Sequence, residues 1–473
     1  MEQTTNQRPL ILVKPKTSVR LGLRKFNRLK FGQDVIETVA FASVIAVVAV
    51  FFLDGGAQNL SSVQTILSAI DRLTALVATD LLLIDILLIA RLPWIDHYYG
   101  QDKATVAHKK LGKPILYLVI AHFISSVVQY SITDGKNVID EFFSLLTIQD
   151  LLLATFAFIL MVLVVVTSLN FARKAITYEA WYLVHLLAYG SVLAAIPHQF
   201  STGSDIAGKP VAQVYWITLY LFVLVNVVWY RVLLPIVRSM RASLRVAAVT
   251  RESSDTVSLY LTGRNVASLG GEAGQFYMLR IMTATQWWRP HPFSISAAPN
   301  DSFVRFTIGN RGDDTAMMQN LKPGTRVVLE GPYGVFTEER RTKEKVVLMA
   351  AGIGIPPVRA LAESMAARPG DVTIVYRLRD QADASLLEEV REVARRRGMR
   401  LFVLDGKRGV GTSWMNVDQF GRQDAERLAQ MAPDIANSDV YICGPTPWTH
   451  AVVKTLRELK TEERLIHAEE FAW

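Results

Sequence analysis

The chain has 473 residues, 51% hydrophobic and only 20% charged, an apolar content that excludes intrinsic disorder. Its single cysteine, Cys443, excludes a disulfide framework, a Cys-only zinc site, a Cys-ligated iron–sulfur cluster and covalent haem attachment through C-x-x-C-H. The net charge of +8 does not by itself argue for nucleic acid, because Arg8, Lys14, Lys16, Arg20, Arg24, Lys25, Arg28 and Lys30 all precede the first apolar run. A basic flank beside a membrane span carries topology information instead.

After this cytoplasmic tail (1–33), residues 34–235 are mostly apolar and 236–473 have the mixed charge of a soluble protein. A span needs about 20 apolar residues. Six candidates follow, at 34–53, 68–92, 106–130, 148–169, 179–197 and 211–234. The first is long for a signal h-region and lacks a small-residue cleavage site, so it reads as a retained helix. The connections at 91–113 and 170–178 carry Arg91, Lys103, Lys109, Lys110, Lys113, Arg173 and Lys174. The alternate connections carry only Lys136 and Lys209. The positive-inside rule then places both termini in the cytoplasm of a multi-pass plasma-membrane protein.

His108 and His122 lie on the third candidate span, and His185 and His198 on or at the rim of the fifth. Ionisable groups at membrane depth are costly and usually functional. The separations, 14 and 13 residues, are roughly 20 Å along a helix. Both spans run in the same direction, so His108 is expected to face His185 and His122 to face His198. A satisfied core histidine explains any one of them. Two cross-helix pairs at matching depths are what two stacked bis-histidine b-type haems need. A 14-residue step returns to within about 40° of one helix face, but 13 residues land about 140° away, so a distortion near Pro197 is expected.

Span two carries Asp80 and Asp85, which would serve a proton path, pair with cations or bond to neighbouring helices. Arg72 near its outer end is a candidate partner of a haem propionate, or an interfacial snorkelling arginine.

From about 242 the pattern becomes short β-rich runs, SLRVAAV, TVSLYLT, GQFYMLRI, FVRFTIG and TRVVLEG, which suggest a small antiparallel barrel over 240–340. From 345 to 473 strands and helices alternate, the grammar of a doubly wound parallel α/β sheet. Gly352-Ile353-Gly354 falls between a strand and a helix, where bare amides hold a pyrophosphate, although a structural tight turn has the same sequence. Arg377 and Arg379, after the second strand of this sheet, lie where an adenosine 2′-phosphate binds, and favour NADPH over NADH.

The segment His291-Pro292-Phe293-Ser294 resembles the flavin signature of the ferredoxin–NADP reductase superfamily, in the form used by NADPH oxidases and ferric reductases. Gly331-Pro332-Tyr333-Gly334, Ala351-Gly352-Ile353-Gly354-Ile355-Pro356 and Cys443-Gly444-Pro445 match the same superfamily in order. With the histidine-bearing helices, the chain resembles a bacterial member of the NADPH oxidase and ferric reductase family.

That resemblance implies FAD, two haems b and NADPH as cofactors and co-substrate. It implies that His291, Phe293 and Ser294 meet the flavin, and that Gly312, Asp313 and Thr315 of a second loop meet its pyrophosphate. It places Cys443 and Gly444 beside the nicotinamide, and Phe471 or Trp473 over the flavin face. Electrons would pass from cytoplasmic NADPH through FAD and the haems to an extracellular acceptor. Dioxygen, reduced to superoxide with Arg72 steering it or stabilising the developing charge, is favoured over ferric chelates or an extracellular flavin. A haem-binding partner subunit with a vestigial reductase half would carry broken nucleotide motifs, and a proton channel would leave the flavin motifs without a purpose.

Overall fold

A computed structural model of the chain describes residues 21–409, 413–417 and 421–470. They divide into two compact units, residues 32–232 and residues 233–470 with 21–31.

The first unit is helical. Helices α1 (Leu23–Leu53), α2 (Val63–Ile89), α3 (Pro93–Tyr98), α4 (Gln101–Asp134) and α5 (Val138–Leu145) are followed by α6 (Gln149–Ser168), α7 (Asn170–Ala175), α8 (Tyr178–Ser201) and α9 (Pro210–Asn226). Helix α1 begins before the expected span at 34, because LRKFNRLKF consists largely of good helix formers. Helix α2 opens on a capping box of Ser62 and Thr65, and α4 closes on Gly135 in the left-handed region. Helix α2 packs along α4, and α6 along α8.

Among the described residues, five helices are long and apolar enough to cross a membrane. Helix α2 has 27 residues but carries Asp71, Arg72, Asp80 and Asp85. Large apolar side chains such as Phe41, Ile45, Leu183, Leu193, Val211 and Val225 stay exposed, an arrangement suited to lipid. Helix α8 stays α-helical through Pro197, so the expected distortion there is not a break in the helix. A π-helical stretch lies instead at Val227–Leu233, directly before α10 (Leu234–Ala242). Pro235 has no N–H to donate and its ring crowds the carbonyl four residues back, which accounts for the wider turn.

The second unit begins with six antiparallel strands: β1 (Arg245–Arg251), β2 (Thr256–Thr262), β3 (Phe276–Ile281), β4 (His291–Ser294), β5 (Val304–Gly309) and β6 (Val327–Tyr333). They form two three-stranded sheets, ordered β1-β2-β5 and β4-β3-β6, with isolated bridges Arg245–Arg326 and Ile295–Phe306 between them. The flavin-signature residues are themselves strand β4, at the edge of its sheet, where Pro292 lies opposite Met278 and has a neighbouring strand on one side only. The short helix α11 (Asp313–Met318) follows β5.

A five-stranded parallel sheet completes the unit: β7 (Val346–Ala351), β8 (Val372–Arg377), β9 (Arg400–Leu404), β10 (Asp439–Gly444) and β11 (Ile466–Glu470). Its order, β11-β10-β7-β8-β9, reverses at β7, the doubly wound pattern whose ligand crevice lies beyond the carboxyl ends of the strands. Helices α12 (Ile355–Ser364), α13 (Leu387–Arg397), α14 (Asp424–Met431) and α15 (Thr446–Glu458) complete the alternation.

Candidate redox site

In the helical unit the four histidines meet in two pairs. The ring centroids of His108 and His185 are 5.9 Å apart with planes at 86°, and those of His122 and His198 are 6.3 Å apart at 26°. Two imidazoles bound to one metal through bonds of about 2 Å place their centroids roughly 6 Å apart. The donor set therefore fits a bis-imidazole iron at each pair.

Carboxylates face two of the four rings. His108 Nδ1 is 2.8 Å from Asp85 Oδ2, and His122 Nδ1 is 2.7 Å from Asp71 Oδ1. In each ring this leaves Nε2 for a metal. His185 Nδ1 is 3.2 Å from Ser168 Oγ, which also accepts a hydrogen bond from Trp181 Nε1.

A cavity of about 320 Å³ is lined by both His122 and His198, and by Asp71, Arg72, Gln199 and Asp205. Arg72 does not extend into the cavity as an uncompensated cation. Both ends of its guanidinium engage Asp205, with Nε 2.8 Å from Oδ2, and it lies over the Phe51 ring. Asp80, the remaining acid of α2, accepts from Ser43 Oγ at 2.7 Å.

In the second unit, β3 holds β4 in register, with Tyr277 opposite Phe293 and Phe276 opposite Ser294. Among the described residues, Ser294 Oγ is buried without a hydrogen-bond partner, as is His291 Nε2. An unsatisfied buried hydroxyl costs about 1–3 kcal/mol, which a polar ligand at this edge would offset. Those two groups fit the phosphate or ring of a flavin. Burial holds the His291 imidazole below its usual pKa against the opposing pull of Asp314, whose Oδ2 is 3.6 Å away. Burial also opposes ionisation of Asp314, but hydrogen bonds from Gln286 (2.7 Å) and Arg289 (2.8 Å) outweigh it and keep the carboxyl below the ordinary range.

Gly312 and Asp313 open α11 in this neighbourhood. The Thr315 hydroxyl is already engaged locally, donating to Gly312 O at 2.9 Å and accepting from Arg311 N at 2.7 Å. With its one proton committed, it has only acceptor capacity left.

At the nucleotide end, Gly352-Ile353-Gly354 forms a tight turn between β7 and α12. Gly352 takes φ +53°, and a Cβ on Gly354 would lie 2.1 Å from the Cys443 carbonyl oxygen. Gly444 packs under the Trp448 ring, and Pro445 caps α15. Cys443 is fully buried between Ala350 of β7 and Glu469 of β11, and burial pushes its thiol pKa well up.

The Arg377 guanidinium donates to the carbonyls of Trp414 (3.2 Å), Leu404 (3.0 Å), Gly406 (2.8 Å) and Leu378, so it staples β8 to the next turn. Arg379 is exposed at the same edge, as is Arg408, which the sequence reading did not single out. Phe471 and Trp473 lie outside the described residues.

Three family models match in order: a ferric reductase like transmembrane component over residues 74–196, an FAD-binding domain over 241–337 and an oxidoreductase NAD-binding domain over 348–454. Together they match a fusion of the NADPH oxidase and ferric reductase type. This fusion is an oxidoreductase and a membrane protein, with FAD- and NAD(P)-binding domains.

Over 238 residues the fusion is 30% identical to the ferredoxin reductase component of 3-ketosteroid-9-alpha-monooxygenase from Mycolicibacterium smegmatis, covering 48% of the chain and 65% of that protein. It is 26% identical over 251 residues to a flavohemoprotein of Bordetella pertussis, covering 48% and 60%. The matches thus span less than two thirds of these relatives. Among solved structures, it is similar to the FAD/NAD-binding domain of a Vibrio cholerae nitric oxide dioxygenase (24% identity, TM-score 0.42, 49% of this chain and 99% of that one). It is also similar to a Malassezia yamatoensis flavohemoglobin (20% identity, TM-score 0.44, 86% and 98%).

Asp71 and Asp205 were not picked out from the sequence, and Asp85 was left without a partner. One signal for the first was present: Asp71 and Asp85 are 14 residues apart, as are His108 and His122.

Proposed function

We propose that the protein is a six-span transmembrane flavocytochrome that carries electrons from cytoplasmic NADPH to an acceptor outside the plasma membrane, with dioxygen reduced to superoxide. The observation that carries this reading is the pair of imidazole pairs, at 5.9 and 6.3 Å, in a chain whose other half has FAD- and NAD-binding domains. When bound, FAD supplies the conversion between a two-electron hydride donor and single electrons, and haems b accept those electrons one at a time.

The chain's residues supply the rest. His108 with His185, and His122 with His198, furnish four imidazoles for two irons. Ser294 and His291 orient the flavin, and Gly312 and Asp313 place backbone beside its pyrophosphate. Gly352, Gly354, Gly444 and Pro445 leave room for the nucleotide, and Arg379 supplies charge for a 2′-phosphate. Phe471 or Trp473 shields the flavin face. Both termini are cytoplasmic by the distribution of Lys and Arg.

Dioxygen is favoured because bis-imidazole irons leave no open coordination position, and a small neutral molecule needs none. The Arg72–Asp205 pair also leaves the cavity beside His122 and His198 without the net positive entrance an anionic ferric chelate would need.

The test is the absorbance spectrum of the purified full-length protein. A low-spin b-haem spectrum that NADPH plus FAD reduces supports the proposal, and a protein without haem after expression in haem-replete cells refutes it.

A further inference from the structure

Helix α2 runs antiparallel to α4, and each carries two ionisable residues 14 positions apart. Fourteen residues return a helix to within about 40° of the same face. In an antiparallel pair the first residue of one helix then meets the second of the other. That is the observed arrangement, as two ion-pair contacts: Asp71 Oδ1 lies 2.7 Å from His122 Nδ1, which also bonds the Asp71 backbone carbonyl at 3.3 Å, and Asp85 Oδ2 lies 2.8 Å from His108 Nδ1. Asp80 is nine residues from Asp71, about half a turn round, and bonds Ser43 instead. Among the described residues, neither His185 nor His198 forms such an ion pair; His185 has only the Ser168 hydroxyl.

We propose that Asp71 and Asp85 are positioning residues for the two haem-iron sites, each accepting the Nδ1–H of one ligand histidine and holding that haem's reduction potential low. The proposal rests on the bis-histidine reading above and adds a division of labour within each ligand pair. A carboxylate on Nδ1 fixes the ring and the tautomer, so that Nε2 carries the lone pair toward the metal. It also makes the imidazole a stronger donor, which favours the ferric state. One carboxylate-backed ligand per iron tunes both haems in the same direction, toward ready release of an electron to a weak oxidant. The Ser168 hydroxyl, a neutral partner, leaves His185 the weaker donor of its pair.

The experiment uses the full-length protein in detergent with both haems bound, comparing wild type with Asp71→Asn, Asp85→Asn, Asp71→Glu, Asp85→Glu and, as control, Asp80→Asn. Asparagine keeps an acceptor oxygen but removes the charge. Spectroelectrochemical titration should show two haems per chain. In each Asn variant one midpoint potential should rise by on the order of tenfold in the one-electron equilibrium, about 59 mV, with the other unmoved. Each Glu variant should return toward wild type, and Asp80→Asn should shift neither haem.

Haem loss in an Asn variant that the matching Glu variant prevents also supports the proposal. Unchanged potentials in both Asn variants, an equal shift in Asp80→Asn, or haem loss in Asn and Glu variants alike would overturn it. A wild-type protein that binds no haem would instead refute the bis-histidine reading itself.

Discussion

Gly354 approaches the carbonyl of Cys443 so closely that a Cβ at this position would stand 2.1 Å from the oxygen. The obstacle is backbone, anchored in β10 between β7 and β11, so it has no side-chain freedom with which to yield. Gly354→Ala should displace the turn between β7 and α12 and cost about 1–3 kcal/mol, as overpacking does. KM for NADPH should rise by roughly tenfold or more, with FAD and haem content unchanged. Normal NADPH kinetics in a folded Gly354→Ala protein would separate this turn from nucleotide binding.

Arg377 and Arg379 are two residues apart and have different roles. Removing the Arg377 guanidinium takes a donor from four carbonyls, of which that of Leu404 keeps the Leu378 N–H, so Arg377→Ala should destabilise the nucleotide half by about 3 kcal/mol, read as a lowered melting temperature. Arg379 is exposed, and Arg379→Ala should leave the melting temperature unchanged while raising KM for NADPH roughly tenfold and leaving KM for NADH alone. Equal effects on both nucleotides would remove Arg379 from 2′-phosphate recognition.

How far the sequence could be read depended on what each residue must satisfy. The four ligand-candidate histidines stood out because an imidazole at membrane depth needs a reason to be there. Asp71 did not, because an acid near the end of a span reads as interfacial until the partner helix is seen. The parallel sheet was legible from its alternation, whereas β4 was hidden because four residues containing Pro292 resemble a loop. The carbonyl bonds of Arg377 were not legible, because sequence position cannot tell whether a strand-end side chain turns outward or back onto neighbouring carbonyls.

Ser294 gives a direct test of the flavin edge. Its hydroxyl is buried without a partner among the described residues, so Ser294→Ala should stabilise the flavin-free protein slightly and weaken FAD binding roughly tenfold. Haem content should not change. Unaltered FAD affinity would mean the hydroxyl is not a flavin contact.

The pH dependence of this edge follows from His291. Burial lowers its pKa from 6.5 in the folded chain, so the unfolded chain binds the proton first on acidification. Stability is then level above about pH 6.5, falls as pH drops from there toward the lowered folded value, and is level again below it. Asp314 adds stability above its unfolded value of 3.8 that is lost as pH falls through its depressed folded value. His291→Gln should flatten the stability profile below pH 6.5 without affecting the more acidic limb, measured by chemical denaturation across pH. An unchanged slope would assign it to another group.

The acceptor prediction turns on Arg72 and Asp205. Their two-point contact pairs Arg72 with one of the two carboxylates, Asp71 and Asp205, that line the cavity beside His122 and His198, so removing one member changes the charge seen by whatever enters. Asp205→Asn removes the direct partner of Arg72 and should attract anionic ferric chelates, raising anaerobic ferric reduction several-fold while superoxide output changes little. Arg72→Ala leaves a carboxylate there and should lower superoxide output by roughly tenfold, because developing negative charge would meet like charge. The measurements are dismutase-sensitive cytochrome c reduction in air, and ferric chelate reduction without oxygen, each with NADPH and FAD. Fast, dismutase-insensitive turnover in the wild type would replace dioxygen with a ferric or flavin acceptor. Unchanged superoxide output and haem content in Arg72→Ala would show that the ion pair serves the fold of this wall and not the electron's exit.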